Sequence, residues 1–482
     1  MIRITLLVLI FLLGCSSSVE TYKSGTSGEI NVYVNKSADT SIAIKDNYVN
    51  SEWNLEDQLI ERISNAEWQI DIVAYEINLP RLIDSLISKA SQGAKVRFII
   101  DAKDGTEDDE IDPNEKVDRY TSMRLNLERM KRGKDKIHGT QDDIQILADS
   151  PIFAVTDTTL RKRYDLPVSY DDYDFVTVKI GTKEKEGYLL IDAERKEADF
   201  SNLTNYYSPG YQMHNKFVIV DYQWVFTGSW NFTVTGLYGN EWNMQNGVLD
   251  GNQQHVVEIK NTGLANIFTI EFNEMWGSES HFSDPANSRF HTRKRDNTPK
   301  EVYVDSTRIE VYFSPSDGVL DKIYQVIEEE ADSAIHFSIF AFSDQRLVDL
   351  MKYKWENNYN DLEGERTGFK IKGLFDRSFW NQWWSASIDM TGRTAKRTSP
   401  KNPNIRWKNP ASVYRARESR KLHSKTMIID DDIVIVGSAN WSENADSKND
   451  ENTLIIYDKK IANQFLQEFY ARYKNAASHV KK

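Results

Sequence analysis

The sequence predicts an α/β protein built from two similar halves, and three observations carry that reading. A frame that begins His214-Asn-Lys216 returns as His423-Ser-Lys425; in both copies four residues lead to an aspartate, Asp221 or Asp430, and six more to Gly-Ser. The stretches Leu55 to Asp101 and Val319 to Asp376 share one plan, helix, strand, helix, strand, which argues for a largely parallel or mixed sheet with helices on its faces. The chain has 482 residues, more than one core usually serves, so two domains or two tightly joined halves are expected.

In chain order, Arg3 precedes an apolar run from Ile4 to Leu13. That run is too short to span a bilayer and suits the core of a signal peptide. Leu12-Leu13-Gly14-Cys15 resembles the lipobox of bacterial lipoproteins, which implies cleavage of residues 1–14 and a lipid on Cys15. It also implies a place in the bacterial cell envelope, outside the cytoplasm. Cys15 is the only cysteine, so no disulfide forms within the chain. Residues 15–29, polar and Gly/Ser-containing, are expected to be a tether. The first half then covers 30–276, a polar linker 277–308, and the second half 309–482.

The halves differ between Asp101 and His214, an interval more than twice that from Asp376 to His423. The first half therefore carries an insertion within about 102–200, with short strands expected over Asp149 to Val155, Asp174 to Ile180 and Gly187 to Ile191. A lid or rim over the site is one reading of it. Its acidic run, Asp104 to Asp112, lacks the spacing of a helix-loop-helix calcium site, because Lys103 stands where a ligand is needed. Together with Asp142-Asp143 and Tyr170 to Tyr173, it reads as solvated loop, and no metal site is expected.

Each repeated frame is a piece of geometry. The β-branched and apolar runs His214-Asn-Lys-Phe-Val-Ile-Val and His423-Ser-Lys-Thr-Met-Ile-Ile read as strands. Residues two apart share a strand face, so each histidine points with its lysine. An imidazole beside an ammonium fills a core poorly and holds a phosphate well. Asp221 and Asp430 fall at the strand ends, where they brace the turn. Gly228 and Gly437 are expected to bring Ser229, Asn231, Ser438 and Asn440 back toward the histidines as donors to phosphate oxygens.

The two complete frames, HxK, four residues, D, six residues, GSxN, resemble the signature of the phospholipase D superfamily. That resemblance implies two α/β sandwich halves related by a pseudo-twofold, with the active site at their interface. It implies a phosphodiesterase whose site is completed within one chain, so a monomer is expected. His214, Lys216, Asp221, His423, Lys425 and Asp430 would form the catalytic set, with His214 as nucleophile and His423 as acid/base. Family members also carry an acidic residue shortly after the signature serine to orient a histidine; Glu241 and Glu451 take that place here. Two imidazoles split a phosphodiester by covalent phosphohistidine chemistry without a metal or other cofactor.

The substrate is less legible. A lipid anchor and abundant aromatic residues favour phospholipid, with the membrane as partner. The net charge of −13 speaks against a nucleic-acid binder, yet basic runs exist at Arg161 to Arg163, Arg293 to Arg295 and Arg415 to Lys421. An extracytoplasmic endonuclease acting on DNA or RNA is therefore the alternative, followed by a cardiolipin synthase-like phosphatidyltransferase and an inactive binding protein. The cluster Phe379-Trp380-Asn-Gln-Trp383-Trp384 is either ordinary packing or an aromatic wall beside the site.

Overall fold

The computed structural model describes residues 22–26, 28–103, 105–106, 117–170, 172–197, 202–357, 368–393 and 406–479. Cys15, the apolar run before it and most of the acidic run from Asp104 lie outside these residues.

The two halves form two mixed sheets with one strand order. In the first the strands run Glu29–Val34, His255–Lys260, Trp224–Gly228, Phe217–Val220, Gln69–Ala74, Lys95–Ile100, Gln145–Ala148. In the second the equivalent strands are Thr307–Ser314, Glu451–Tyr457, Ile433–Gly437, Lys425–Ile429, Ala334–Ile339, Lys370–Phe375 and Ser412–Arg415. In both, the strand after the histidine pairs antiparallel with the first strand of the helical crossover, Phe217 against Val73 and Lys425 against Ile339. Phe217, Val218, Ile219 and Val220 are all buried, as expected of a central strand covered on both faces.

One core is shared between the halves. Phe217, Ile219, Val225 and Val257 of the first sheet pack in one cluster with Ile428, Val434, Val436 and Leu454 of the second, around helices Thr262–Trp276 and Lys459–Ser478. Each such side chain contributes roughly 1.5–3 kcal/mol by leaving water, so this cluster binds the halves into one body. The outer faces carry helices Leu55–Ser64, Pro80–Ser91 and Arg119–Lys131 in the first half. Val319–Glu330 and Gln345–Asn357 take that place in the second. Among the described residues no helix is long and apolar enough to cross a membrane.

Three boundaries differ from the sequence reading. Tyr22–Thr26 and Glu301–Val304 pair as parallel edge strands of the second sheet, so the expected tether and linker both contain ordered structure. Backbone pairing with a neighbouring edge decides this, and composition does not report it. Part of the expected insertion belongs to the shared plan, since Gln145–Ala148 occupies the place of Ser412–Arg415. What the first half adds is a small sheet ordered Ile152–Phe153, Lys183–Ile191, Phe175–Ile180, Thr204–Tyr206, with helix Thr158–Arg163. Asp142 and Asp143 take backbone N–H groups of Lys134 and Gly139 and brace a turn. One residue in each of two basic runs is structural: Arg161 makes a bidentate pair with Glu128 in the interior, at 2.6 and 2.8 Å, and Lys294 is buried on Glu271.

Candidate active site

Each histidine is hung on the opposite half. The His214 N–H donates to the Asp450 carbonyl at 2.9 Å and the His423 N–H to the Gln253 carbonyl at 3.0 Å. One residue earlier, the Met213 N–H donates to the Asp101 carboxylate (2.9 Å) and the Leu422 N–H to Asp376 (2.8 Å). These reciprocal bonds are the local form of the pseudo-twofold, and they place both repeated frames at one interface. Both histidines are only 6% exposed.

The lysines follow the same symmetry. Lys216 Nζ donates to its own histidine's carbonyl, His214 O, at 2.5 Å, and Lys425 Nζ to His423 O at 2.8 Å. An aromatic ring stands over each pair. Tyr75 meets the His214 ring edge-on at 4.8 Å and Phe340 lies 4.9 Å from the His423 ring. Burial, then the nearby lysines, holds both imidazoles well below their usual range, and each histidine feels the lysine of the other half. Burial pushes Lys216 down to about 7 and lowers Lys425 as well. Four potential cations thus crowd one desolvated spot, where an entering anion relieves their repulsion.

One carboxylate breaks the symmetry. Glu451 Oε2 lies 2.7 Å from His214 Nδ1 and accepts the Ser438 hydroxyl at 2.6 Å. Burial pushes Glu451 up to about 8 against the pull of Lys216 and Lys425, while it drives His214 down, so both partners lean to neutral forms. Among the described residues His423 has no such partner; its Nδ1 lies 2.9 Å from the Ser229 carbonyl oxygen. With Nδ1 engaged on the protein in both rings, Nε2 is the nitrogen without a hydrogen bond among the described residues.

Several expectations need correction. Glu241 is exposed at the start of helix Glu241–Gln245 and does not orient His423. The register pairs Gly228 with Val256 and Gly437 with Thr453, so Gln254 is the counterpart of Glu451. It spends its amide on Gly236 O and Asn231 N. Ser229 and Ser438 are fully buried and do not line a phosphate site; their hydroxyls accept the His255 and Asn452 N–H groups on the adjoining strands. Gly228 and Gly437 serve this close strand approach, since a Cβ there would collide with the carbonyl oxygens of His255 and Asn452. Asn231 and Asn440 stay half-buried at the frame ends. Asp221 accepts the N–H groups of Glu67, Trp68 and Gln69, and Asp430 those of Asp332, Ser333 and Ala334. Both aspartates therefore brace the turn that enters the neighbouring strand, away from the imidazoles.

The aromatic cluster divides in two. Trp380 is core, packed on Phe375, whereas Phe379 joins Phe340 at 4.8 Å and Trp384 at 5.1 Å, giving a half-buried track of rings that leads away from His423. Lys421, from the third basic run, stands 5.4 Å from the Phe340 ring. Sequence reading passed over Tyr75 and Phe340. Their signal was their shared place, first after equivalent strands of the repeated plan. Among the described residues no cluster of His, Cys, Asp and Glu could hold a metal ion.

Fold and site together define a class: a duplicated α/β protein in which two HxK pairs from opposite halves meet in one buried site. Residues 59–276 and 324–473 match the family model described as "Cardiolipin synthase, PLD-like domain". The chain belongs to the phospholipase D superfamily. It is 26% identical over 166 residues to the phospholipase D of Rickettsia prowazekii (strain Madrid E), covering 34% of this chain and 68% of the relative. It is 38% identical over 79 residues to a Staphylococcus aureus (strain Mu50) cardiolipin synthase, covering 14% of this chain and 16% of the relative. Among solved structures, the phosphatidylserine synthase of Haemophilus influenzae Rd KW20 superposes with a TM-score of 0.48 at 12% identity, covering 92% of this chain and 85% of that one.

Proposed function

We propose that this protein is a metal-independent phospholipase D-type hydrolase, with His214 as nucleophile and His423 as acid/base. The observation that supports the assignment is the single carboxylate, Glu451, behind His214. When Nε2 of His214 attacks phosphorus, a P–N bond forms as the P–O bond to the leaving alcohol breaks. The phosphorylated ring is then cationic, and its Nδ1–H finds Glu451 in place to balance that charge. The leaving oxygen takes its proton from Nε2 of His423. Burial and then the lysines hold His423 neutral; the incoming anionic diester offsets the lysines and favours the charged ring, so His423 gains that proton as substrate binds. Water next attacks phosphorus and gives a proton back to His423, and the P–N bond breaks. The Ser229 carbonyl fixes the His423 tautomer without adding charge, which suits a group that must both give and take a proton. Lys216 and Lys425, with the amides of Asn231 and Asn440 as donors, stabilise the charge on the non-bridging oxygens.

The lipid part of the reading is supported by the ring track Phe340–Phe379–Trp384, which offers an apolar surface beside His423. In this account a lipid on Cys15 holds a monomeric enzyme to the membrane of the bacterial envelope. Protein from Ser16 onward, with His423→Ala as control, would be offered vesicles of phosphatidylcholine, phosphatidylethanolamine and phosphatidylglycerol. Single- and double-stranded DNA would be offered separately, all in chelator. Head-group release by the wild type alone is expected. DNA cleavage without lipid turnover would make the protein an endonuclease, and activity restored only by a divalent ion would overturn the metal-free chemistry.

A further inference from the structure

We propose that His291, outside both repeated frames and within the expected linker, is a positioning residue that clamps the His214–Glu451 pair across the two halves. The inference rests on the phosphodiesterase reading of that site. His291 is 2% exposed. Its Nε2 lies 3.2 Å from Asp149 Oδ2, at the end of the outermost main-sheet strand of the first half, and its Nδ1 lies 2.9 Å from Asp450 Oδ2 in the second. The contact to Asp450 is a close ion pair rather than an aligned hydrogen bond, and the His291 backbone N–H adds a bond to Asp450 Oδ1 at 2.7 Å. A carboxylate oxygen beside each ring nitrogen calls for an N–H on both, so the ring is an imidazolium.

Asp450 matters because of what its backbone does. Its carbonyl receives the His214 N–H, its own N–H donates to Gln212 O, and the next residue is Glu451. Asp450 thus sets the register between the strand stems that carry the two members of the pair. Its carboxylate is held by His291 and by Lys294, 3.6 Å away, which is itself buried on Glu271. Asp149 in turn accepts the Ala102 N–H at 2.8 Å, next to Asp101, which holds Met213. Other groups around His291 are the Tyr211 ring and Glu194, whose carboxylate takes the Phe290 N–H and pairs with Arg293. Gln253, the counterpart of Asp450 in the other half, bonds Glu468 through a neutral amide at 3.0 Å. The charged clamp therefore stands on the side that carries Glu451.

Without the imidazolium, Asp149 and Asp450 face each other as buried like charges, and the segment carrying Glu451 shifts against His214. The test uses the full chain and bis(p-nitrophenyl) phosphate. His291→Gln should lower kcat per folded molecule about tenfold or more, leave KM within about twofold, and move the limb of the pH–rate profile that reports the histidine pair. The double variant Asp149→Asn/His291→Gln, which removes the like-charge contact, should regain at least part of the loss. A His291→Gln protein with kcat and pH profile like those of the wild type would overturn the proposal, as would a loss explained wholly by unfolded protein. Should that variant not fold, nitrogen NMR of histidine-labelled wild type decides: both ring nitrogens of His291 protonated at pH 7 support the clamp, and a neutral ring refutes it. If the wild type cleaves no phosphodiester, the functional reading fails. The clamp is then judged by the His214 Nδ1 signal, which His291→Gln should displace and the double variant should return at least part of the way to the wild-type position; an undisplaced signal in His291→Gln overturns it.

Discussion

Replacing Glu451 by glutamine separates the two acidic residues that follow the signature serines. The substitution keeps size and removes a group able to turn anionic when the ring becomes cationic, a carboxyl that sits 2.7 Å from His214 Nδ1 in a fully buried setting. Hydrogen bonds to charged groups contribute about 1.5–3 kcal/mol. The bond gains its strength when the ring becomes cationic, so the loss falls on the transition state. At about 1.36 kcal/mol per tenfold change in rate, kcat should drop roughly 10- to 150-fold. Glu451 touches the histidine and not the substrate, so KM should stay within about twofold. Steady-state release of p-nitrophenolate from bis(p-nitrophenyl) phosphate, normalised to folded protein by circular dichroism, reads both constants. Glu241→Gln is the matched control and should keep its kcat, because that side chain lies on an exposed helix. Equal losses in the two variants, or a Glu451→Gln enzyme within twofold of the wild type, would refute the reasoning.

Other perturbations probe different parts of the account. Asp430→Asn should cost about 1–3 kcal/mol of stability by weakening the acceptor of three backbone N–H groups; thermal melts should shift while kcat per folded molecule does not. Phe379→Ala and Trp384→Ala should cut turnover of phospholipid vesicles at least severalfold and leave the soluble diester unaffected, which parallel assays on the two substrates would show. Asp450 and Asp149 outweigh burial and hold His291 up at about 10, above its unfolded value near 6.5. Its stabilisation is therefore fully present below about pH 6.5 and is lost as pH rises through about 10. Urea midpoints of the wild type should fall between pH 7 and 10 more than those of His291→Gln, and parallel curves would contradict the charge assignment.

The fold and the two HxK frames that meet at its interface were legible because both rest on short-range rules. The repeated HxK spacing marked His214 with Lys216 and His423 with Lys425, although the strands expected to start at the histidines begin only at Phe217 and Lys425, and the repeated helix–strand plan announced two equivalent sheets. What stayed hidden depends on register between distant strands. Counting from Ser229 led to Glu241, whereas the pairing of Trp224–Gly228 with His255–Lys260 puts Gln254 at the place that matters. The serines read as phosphate donors because hydroxyls suit that role; strand contact through Gly228 and Gly437 turns them inward instead. His291 carried no local signal, since its partners Asp149 and Asp450 are 142 and 159 positions away. Composition likewise could not show that Glu301–Val304 completes a sheet edge.

The central claim is that histidines from two halves form one site with unequal roles, and trapping the intermediate tests it most directly. A p-nitrophenyl diester needs little help from a general acid, because its leaving group is stable as an anion, so His423→Ala should still be phosphorylated yet fail to hydrolyse the adduct. Rapid mixing should give a burst of about one equivalent of p-nitrophenolate, and mass spectrometry under mild alkali should find the adduct on His214. An adduct on His423 in the reciprocal His214→Ala variant would reverse the roles. Steady turnover without a burst or adduct in His423→Ala would contradict the two-histidine site itself.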